Sequence, residues 1–221
     1  MKIENLSVSY GEKQVFNNLS LNLNDGDITC VLGRSGAGKT TLLNYLAGLI
    51  QGRPFTLNGG VAMVFQEPRL LLNLTVKENL LFAGASAENI DKALKVSGLD
   101  GKESSRPSEL SGGEKQRVSF LRAMLSGANT VLLDEPFSSL DLATKIPLAK
   151  TFVEMIKSAE KSAIFVTHDV EEALMVADRI LYIDGGKIAL DITLDGKPFR
   201  DYGTPLKERK IIVDKIVKNN V

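Results

Sequence analysis

Apolar and polar residues alternate from Ile3 to Tyr10 and again from Val15 to Leu23. This is the period-two pattern of half-buried strands, and Gly11-Glu12-Lys13 between them supplies a turn, so an antiparallel pair is expected. Asp25-Gly26-Asp27 marks a second turn before the continuous apolar run Ile28 to Leu32, which reads as a buried strand. A helical pattern covers Gly38 to about Leu49, and short apolar segments follow at Phe55-Leu57 and Val61 to Phe65. From about Glu67 to Leu125 the period is helical, with helices expected over Val76–Ala83, Ala87–Val96 and Gly112–Leu125 and no convincing strand. Strand character returns at Thr130–Asp134, Ala163–Thr167 and Arg179–Asp184, alternating with helices near Leu142–Ala159 and Val170–Ala177. Pro147 should kink the first of these helices or reset its start. Beyond about Asp195 the chain is polar, with a weak helical pattern carried by Ile211, Ile212 and Ile216.

Strand–helix alternation on both sides of a helical stretch implies an α/β fold: a mostly parallel sheet, an N-terminal antiparallel β subdomain and an inserted all-helical subdomain. The length fits one domain, 1–221, with residues 1–66 and 126–221 forming the core and 67–125 the helical insertion. Composition adds little to this. With 43% apolar and 24% charged residues the chain has the make-up of an ordinary globular protein. Lys+Arg and Asp+Glu both number 27, so no net basic charge points to nucleic acid. The single cysteine, Cys30, cannot form an intrachain disulfide and reads as a small buried strand residue, which suits a reducing compartment. The start Met1-Lys2-Ile3-Glu4-Asn5 carries no apolar signal core, and no stretch approaches the ~18 apolar residues of a membrane span. Any membrane role would run through a partner.

Chemistry enters at Gly33-Arg34-Ser35-Gly36-Ala37-Gly38-Lys39-Thr40, which matches G-x-x-x-x-G-K-[ST] and lies between an expected strand and an expected helix. Glycines let a backbone wrap closely and aim N–H groups at phosphate oxygens, and a helix N-terminus adds partial positive charge. Lys39 should reach the β- and γ-phosphates, Thr40 should bind Mg2+, and Thr41 should contact an α-phosphate. Val131-Leu132-Leu133-Asp134-Glu135 is an apolar strand ending in two carboxylates. Beside a phosphate loop, Asp134 should hold Mg2+, and Glu135, where the chain turns, should accept a proton from the attacking water.

Leu110-Ser111-Gly112-Gly113-Glu114-Lys115-Gln116-Arg117 opens a helix. Ser111 and Glu114 form a capping-box pattern, yet capping does not need two consecutive glycines, whereas close approach of a phosphate does. This segment resembles the signature motif of ABC transporter ATPases, and it lies between the phosphate loop and the metal strand as in that family. The resemblance covers almost the whole chain. It implies a P-loop NTPase core of RecA type, and a composite site in which Ser111, Gly112 and Gly113 meet the γ-phosphate of ATP held by a second copy. It further implies that Gln66 is similar to the Q-loop glutamine, which senses Mg2+ and the water. Ser138-Ser139-Leu140-Asp141 resembles the D-loop that crosses the dimer interface, with Asp141 at the nucleotide of the partner. Thr167-His168-Asp169 is similar to the switch motif, with His168 bonding the γ-phosphate and orienting the Glu135 water. Tyr10 resembles the aromatic that stacks on adenine; as a bare residue it can equally pack its own sheet.

The resemblance implies ATP and Mg2+ as cofactors, a homodimer on ATP binding, and a place on the cytoplasmic membrane face through permease subunits. An extracytoplasmic substrate-binding protein would act through that permease. Gln66-Glu67-Pro68-Arg69-Leu70-Leu71 is similar to the flank found in importers of nitrate, sulfonates and taurine, though Leu72-Asn73-Leu74 replaces a Pro-Trp pair of that group. An exporter or lipid-release ATPase, or a non-transport module, shares the same motifs.

Overall fold

The computed structural model describes residues 2–50, 59–138, 140–196 and 199–218. The apolar segment Phe55-Leu57 and Ser139 lie outside them. Strands β1 (Lys2–Tyr10) and β2 (Lys13–Asn22) form an antiparallel hairpin closed at Gly11-Glu12. A six-stranded sheet follows, built from β3 (Ile28–Gly33), β4 (Val61–Val64), β5 (Thr130–Asp134), β6 (Ser162–Thr167), β7 (Arg179–Asp184) and β8 (Lys187–Thr193). Its order is β4-β5-β6-β3-β7-β8, parallel except for the β7–β8 hairpin.

Both faces of the mostly parallel sheet are covered, so its central strand is buried throughout. All six residues of β3 are buried. Alternation sorts its neighbours: Leu132, Ile164, Val166, Leu181 and Ile183 face the layer formed by the β1–β2 hairpin and helix α1 (Lys39–Leu46). Val131, Leu133, Phe165, Ile180 and Tyr182 face the layer of helices α4 (Gly112–Leu125), α5 (Leu142–Ser158), α6 (Val170–Val176) and α7 (Lys207–Lys218). A third cluster joins α2 (Val76–Phe82), α3 (Ala87–Val96) and part of α4, with Leu80, Ile90, Leu94, Val118 and Leu121 at its centre.

The structure moves one helix end, excludes one of the two effects expected of Pro147, and adds a strand. Helix α1 ends at Leu46 rather than Leu49. Pro147 does not reset the start of α5, which begins at Leu142 under an Asp141 cap and runs through it. Pro147 sits on the exposed side, where the carbonyl of exposed Ala143 that it leaves unbonded can reach water, while Leu148, Ala149, Phe152 and Ile156 pack the other side. Strand β8 was not foreseen, although Ile188, Leu190 and Ile192 alternate after the Gly185-Gly186 turn.

Candidate functional site

Strand order alone gathers the candidate residues. Strands β4, β5, β6 and β3 lie side by side and parallel, so their C-terminal ends open on one edge of the sheet. That edge receives Gln66 after β4, Asp134 and Glu135 at the end of β5, His168 after β6, and the loop Gly33–Gly38 after β3. A cavity of about 620 Å³ opens there, lined by Tyr10, Lys13, Val15, Ser35, Gly36, Gly38, Lys39, Thr40, Thr41, Glu135 and His168. Of these, Lys13 and Val15 were not singled out from sequence. The hairpin pairing Tyr10 with Lys13 is the signal that could have placed them there.

The loop is shaped for an anion. Gly36 and Gly38 take φ of 79° and 97°. A Cβ at Gly38 would lie 2.6 Å from Cγ1 of Val15 and 2.7 Å from Cζ of Phe16, so the chain passes the hairpin where no side chain fits. Helix α1 has no side-chain cap and no acidic residue in its first turn. By contrast α2, α3, α4, α5 and α6 are capped by the side chains of Thr75, Ser86, Ser111, Asp141 and Asp169. The N-terminal N–H groups of α1 are thus left for an outside acceptor. Arg34, Ser35 and Gly36 are exposed, and Ala37 turns the loop back by donating its N–H to the carbonyl of Arg34 at 3.1 Å.

Lys39 is buried and donates to the carbonyls of Gly33 at 2.9 Å and Arg34 at 3.1 Å. Burial lowers the pKa of its ammonium, and the charges of Glu135 and Asp134 oppose that shift. Asp134 shares the face of Leu132, which turns it toward α1, and its Oδ1 accepts from the Thr40 hydroxyl at 3.3 Å. Burial raises the pKa of its carboxyl, offset by the Thr40 bond, raised further by Glu135 and opposed by Lys39. Glu135 turns out of the strand through a left-handed backbone, φ 45°, with its N–H donated to the carbonyl of Val166 at 2.9 Å. Its Oε1 lies 3.2 Å from Nδ1 of the exposed His168. Gln66 reaches the same corner by donating to the Ser138 hydroxyl at 3.3 Å, which in turn donates to the carbonyl of Glu135 at 2.9 Å.

The remaining candidates lie at the mouth of this cavity or apart from it. Tyr10 lines its mouth and is 54% exposed. Ser111, Gly112 and Gly113 begin α4, and Ser111 and Gly112 are exposed. The Ser111 oxygen accepts the Glu114 N–H at 3.3 Å, while the Glu114 carboxylate accepts the Ser111 N–H at 2.8 Å and lies 3.1 Å from the ammonium of Lys102. Those bonds hold the Glu114 pKa down to about 2. Asp141 caps α5, its Oδ1 accepting the Thr144 N–H at 3.0 Å. None of these four lines the cavity of its own chain. Among the described residues no group of three or more His, Cys, Asp or Glu side chains is close enough to hold a metal. The hard oxygens of Thr40 and Asp134 fit Mg2+, which takes few protein ligands and completes its shell with water and phosphate.

Known proteins resemble this chain in sequence and in fold. A family profile described as ABC transporter matches residues 16–138. The aliphatic sulfonates import ATP-binding protein SsuB 2 of Streptomyces avermitilis is 38% identical over 213 residues, covering 93% of this chain and 85% of the relative. Its counterpart in Rhodococcus jostii is 40% identical over 202 residues, covering 88% and 83%. Among solved structures, the dimeric ATP-binding cassette MJ0796 in a post-hydrolysis state bound to ADP and Pi superposes with a TM-score of 0.74 at 26% identity, over 89% of this chain and 99% of that one.

Proposed function

The chain belongs to the ABC transporter family, and from that premise we propose that it hydrolyses ATP, with Mg2+, to drive import of an aliphatic sulfonate through a separate membrane permease. The observation that carries the ATPase reading is the single cavity in which the glycine-lysine loop, Glu135 and His168 face one another. The cargo reading is supported by relatives that bear the name of aliphatic sulfonate importers.

The loop N–H groups and the α1 N-terminus bind the phosphates, and Lys39 exchanges its bonds to the carbonyls of Gly33 and Arg34 for phosphate oxygens. Thr40 and Asp134 would hold Mg2+, which would supply positive charge against the phosphates when bound. Glu135 accepts a proton from the water whose oxygen attacks the γ-phosphorus; the bond from that phosphorus to the bridging oxygen breaks, leaving ADP and phosphate. His168, 3.2 Å from Glu135, orients the carboxylate, and Gln66 steadies the Glu135 backbone through Ser138. Tyr10 stacks on the adenine. Ser111, Gly112, Gly113 and Asp141, which lie off this cavity, serve the nucleotide of a second copy, so two chains enclose two ATP molecules head to tail. Dimeric cassettes among the structural neighbours support that arrangement. The relatives' names as import ATP-binding proteins support a permease on a separate chain, met at the cytoplasmic membrane face, with a binding protein beyond it.

Loss of the chain from its host should abolish uptake of a labelled alkanesulfonate, and the wild-type sequence, but not Glu135→Gln, should restore it. Uptake that continues unchanged without the chain would sink the cargo reading. Wild-type protein with no Mg2+-dependent ATPase activity would sink the catalytic one.

A further inference from the structure

We propose that Lys145 and Glu172 form a buried positioning pair that ties the start of α5 to the loop carrying His168, and so sets the histidine against Glu135. The proposal rests on the reading of His168 and Glu135 as parts of the ATPase site. His168 itself is exposed, but both its chain neighbours are held. The Thr167 hydroxyl donates to Oε2 of Glu172 at 2.7 Å and accepts the Asp169 N–H at 3.1 Å. Oδ1 of Asp169 accepts the N–H groups of Glu171 and Glu172 at 2.8 and 3.3 Å. Lys145 closes the network from a different helix, with Nζ 2.5 Å from Oε1 of Glu172 and 3.7 Å from Oδ2 of Asp169. The Lys145 N–H donates to the carbonyl of Asp141 at 2.8 Å, one turn from the α5 cap.

The Lys145 and Glu172 side chains are only 10% and 2% exposed. A charged pair that deep must offset its own desolvation, and well-packed apolar side chains would join α5 to α6 as well or better. What such side chains would not supply is direction. Glu172 spends one oxygen on Lys145 and the other on Thr167, so the ammonium fixes the carboxylate, the carboxylate fixes the hydroxyl, and the hydroxyl fixes the peptide that follows His168. Displacing the Asp141 end of α5 moves Lys145 and is felt at His168. If Asp141 faces the second copy, closure of the dimer reaches the histidine by this route.

The test uses the full chain and Thr167→Val, which is nearly isosteric and removes only the linking hydroxyl, together with the charge-free double variant Lys145→Met/Glu172→Gln and the conservative Lys145→Arg. His168 is the only histidine, so the protein gives one imidazole resonance by NMR. We expect Thr167→Val to shift or split that resonance and to lower kcat tenfold or more with Kd for ATP unchanged. The double variant should behave alike and Lys145→Arg should stay within threefold of wild type. An unmoved imidazole signal, or kcat within twofold of wild type in Thr167→Val, overturns the proposal. Wild-type protein inactive toward ATP would instead overturn the ATPase reading, and the resonance would still report the linkage.

Discussion

Glu135 sits in a backbone conformation that a non-glycine residue adopts at a cost of about 1–3 kcal/mol. That strain aims its carboxylate out of the strand plane and toward His168 and the loop. Alternation places Asp134 on the α1 face, so an unstrained continuation would have turned Glu135 to the opposite one. The type and place of both carboxylates are legible in the sequence, as the polar end of an apolar run beside a phosphate loop; the left-handed turn is not, because nothing in glutamate favours it. Glu114 offers a sharper test at this scale. Its pKa is held at about 2 against an ordinary 4.5, first by the Ser111 N–H and then by the Ser111 hydroxyl and Lys102. A depressed carboxyl stabilises the fold above its ordinary pKa and loses that contribution as pH falls through the depressed one. Glu114→Ala should therefore lower Tm by roughly 2–4 °C at pH 7, for a cap contribution of about 1 kcal/mol. The gap to wild type should narrow below pH 4.5 and close near pH 2 in thermal unfolding. A gap that does not depend on pH would assign the loss to helix propensity instead.

Elements show where pattern succeeds and where it stops. Helices α3 and α4 and strands β5 and β7 have the bounds that the pattern gives them, since each has a clear cap or turn at its ends, with a buried stripe on the helices and a continuous apolar run in the strands. Strand β8 escaped because it is half exposed and lies in a polar stretch, so only three alternating residues mark it. Helix α5 is the opposite case: a local breaker was overridden by packing, because Pro147 points to solvent while Phe152 meets Phe120 and Phe137 edge-on at 5.0 and 6.3 Å. The Lys145–Glu172 pair was invisible in sequence, since two charges on separate helices give no sign that they are buried together. If packing alone carries α5 past Pro147, then Pro147→Ala should restore a bond to the Ala143 carbonyl and raise Tm by roughly 2–8 °C in calorimetry. A fall in Tm would mean that the ring itself is packed to advantage.

The whole molecule divides its candidate chemistry between two surfaces. Strand order brings Gln66, Asp134, Glu135, His168 and the glycine-lysine loop to one sheet edge, because four parallel strands in the order β4-β5-β6-β3 end there. The Ser111-Gly112-Gly113 helix start lies outside that cavity, with Ser111 and Gly112 exposed and Ser111 bonded to Glu114 in its cap. On the proposed reading, in which both halves act on one nucleotide, a second copy completes the site. Sedimentation equilibrium of Glu135→Gln with saturating Mg2+ and ATP tests this most directly. The mass should double from 24.0 kDa when ATP is added, and Ser111→Arg in the same background should bind ATP yet stay monomeric. A Glu135→Gln chain that holds ATP and remains at 24.0 kDa would contradict it.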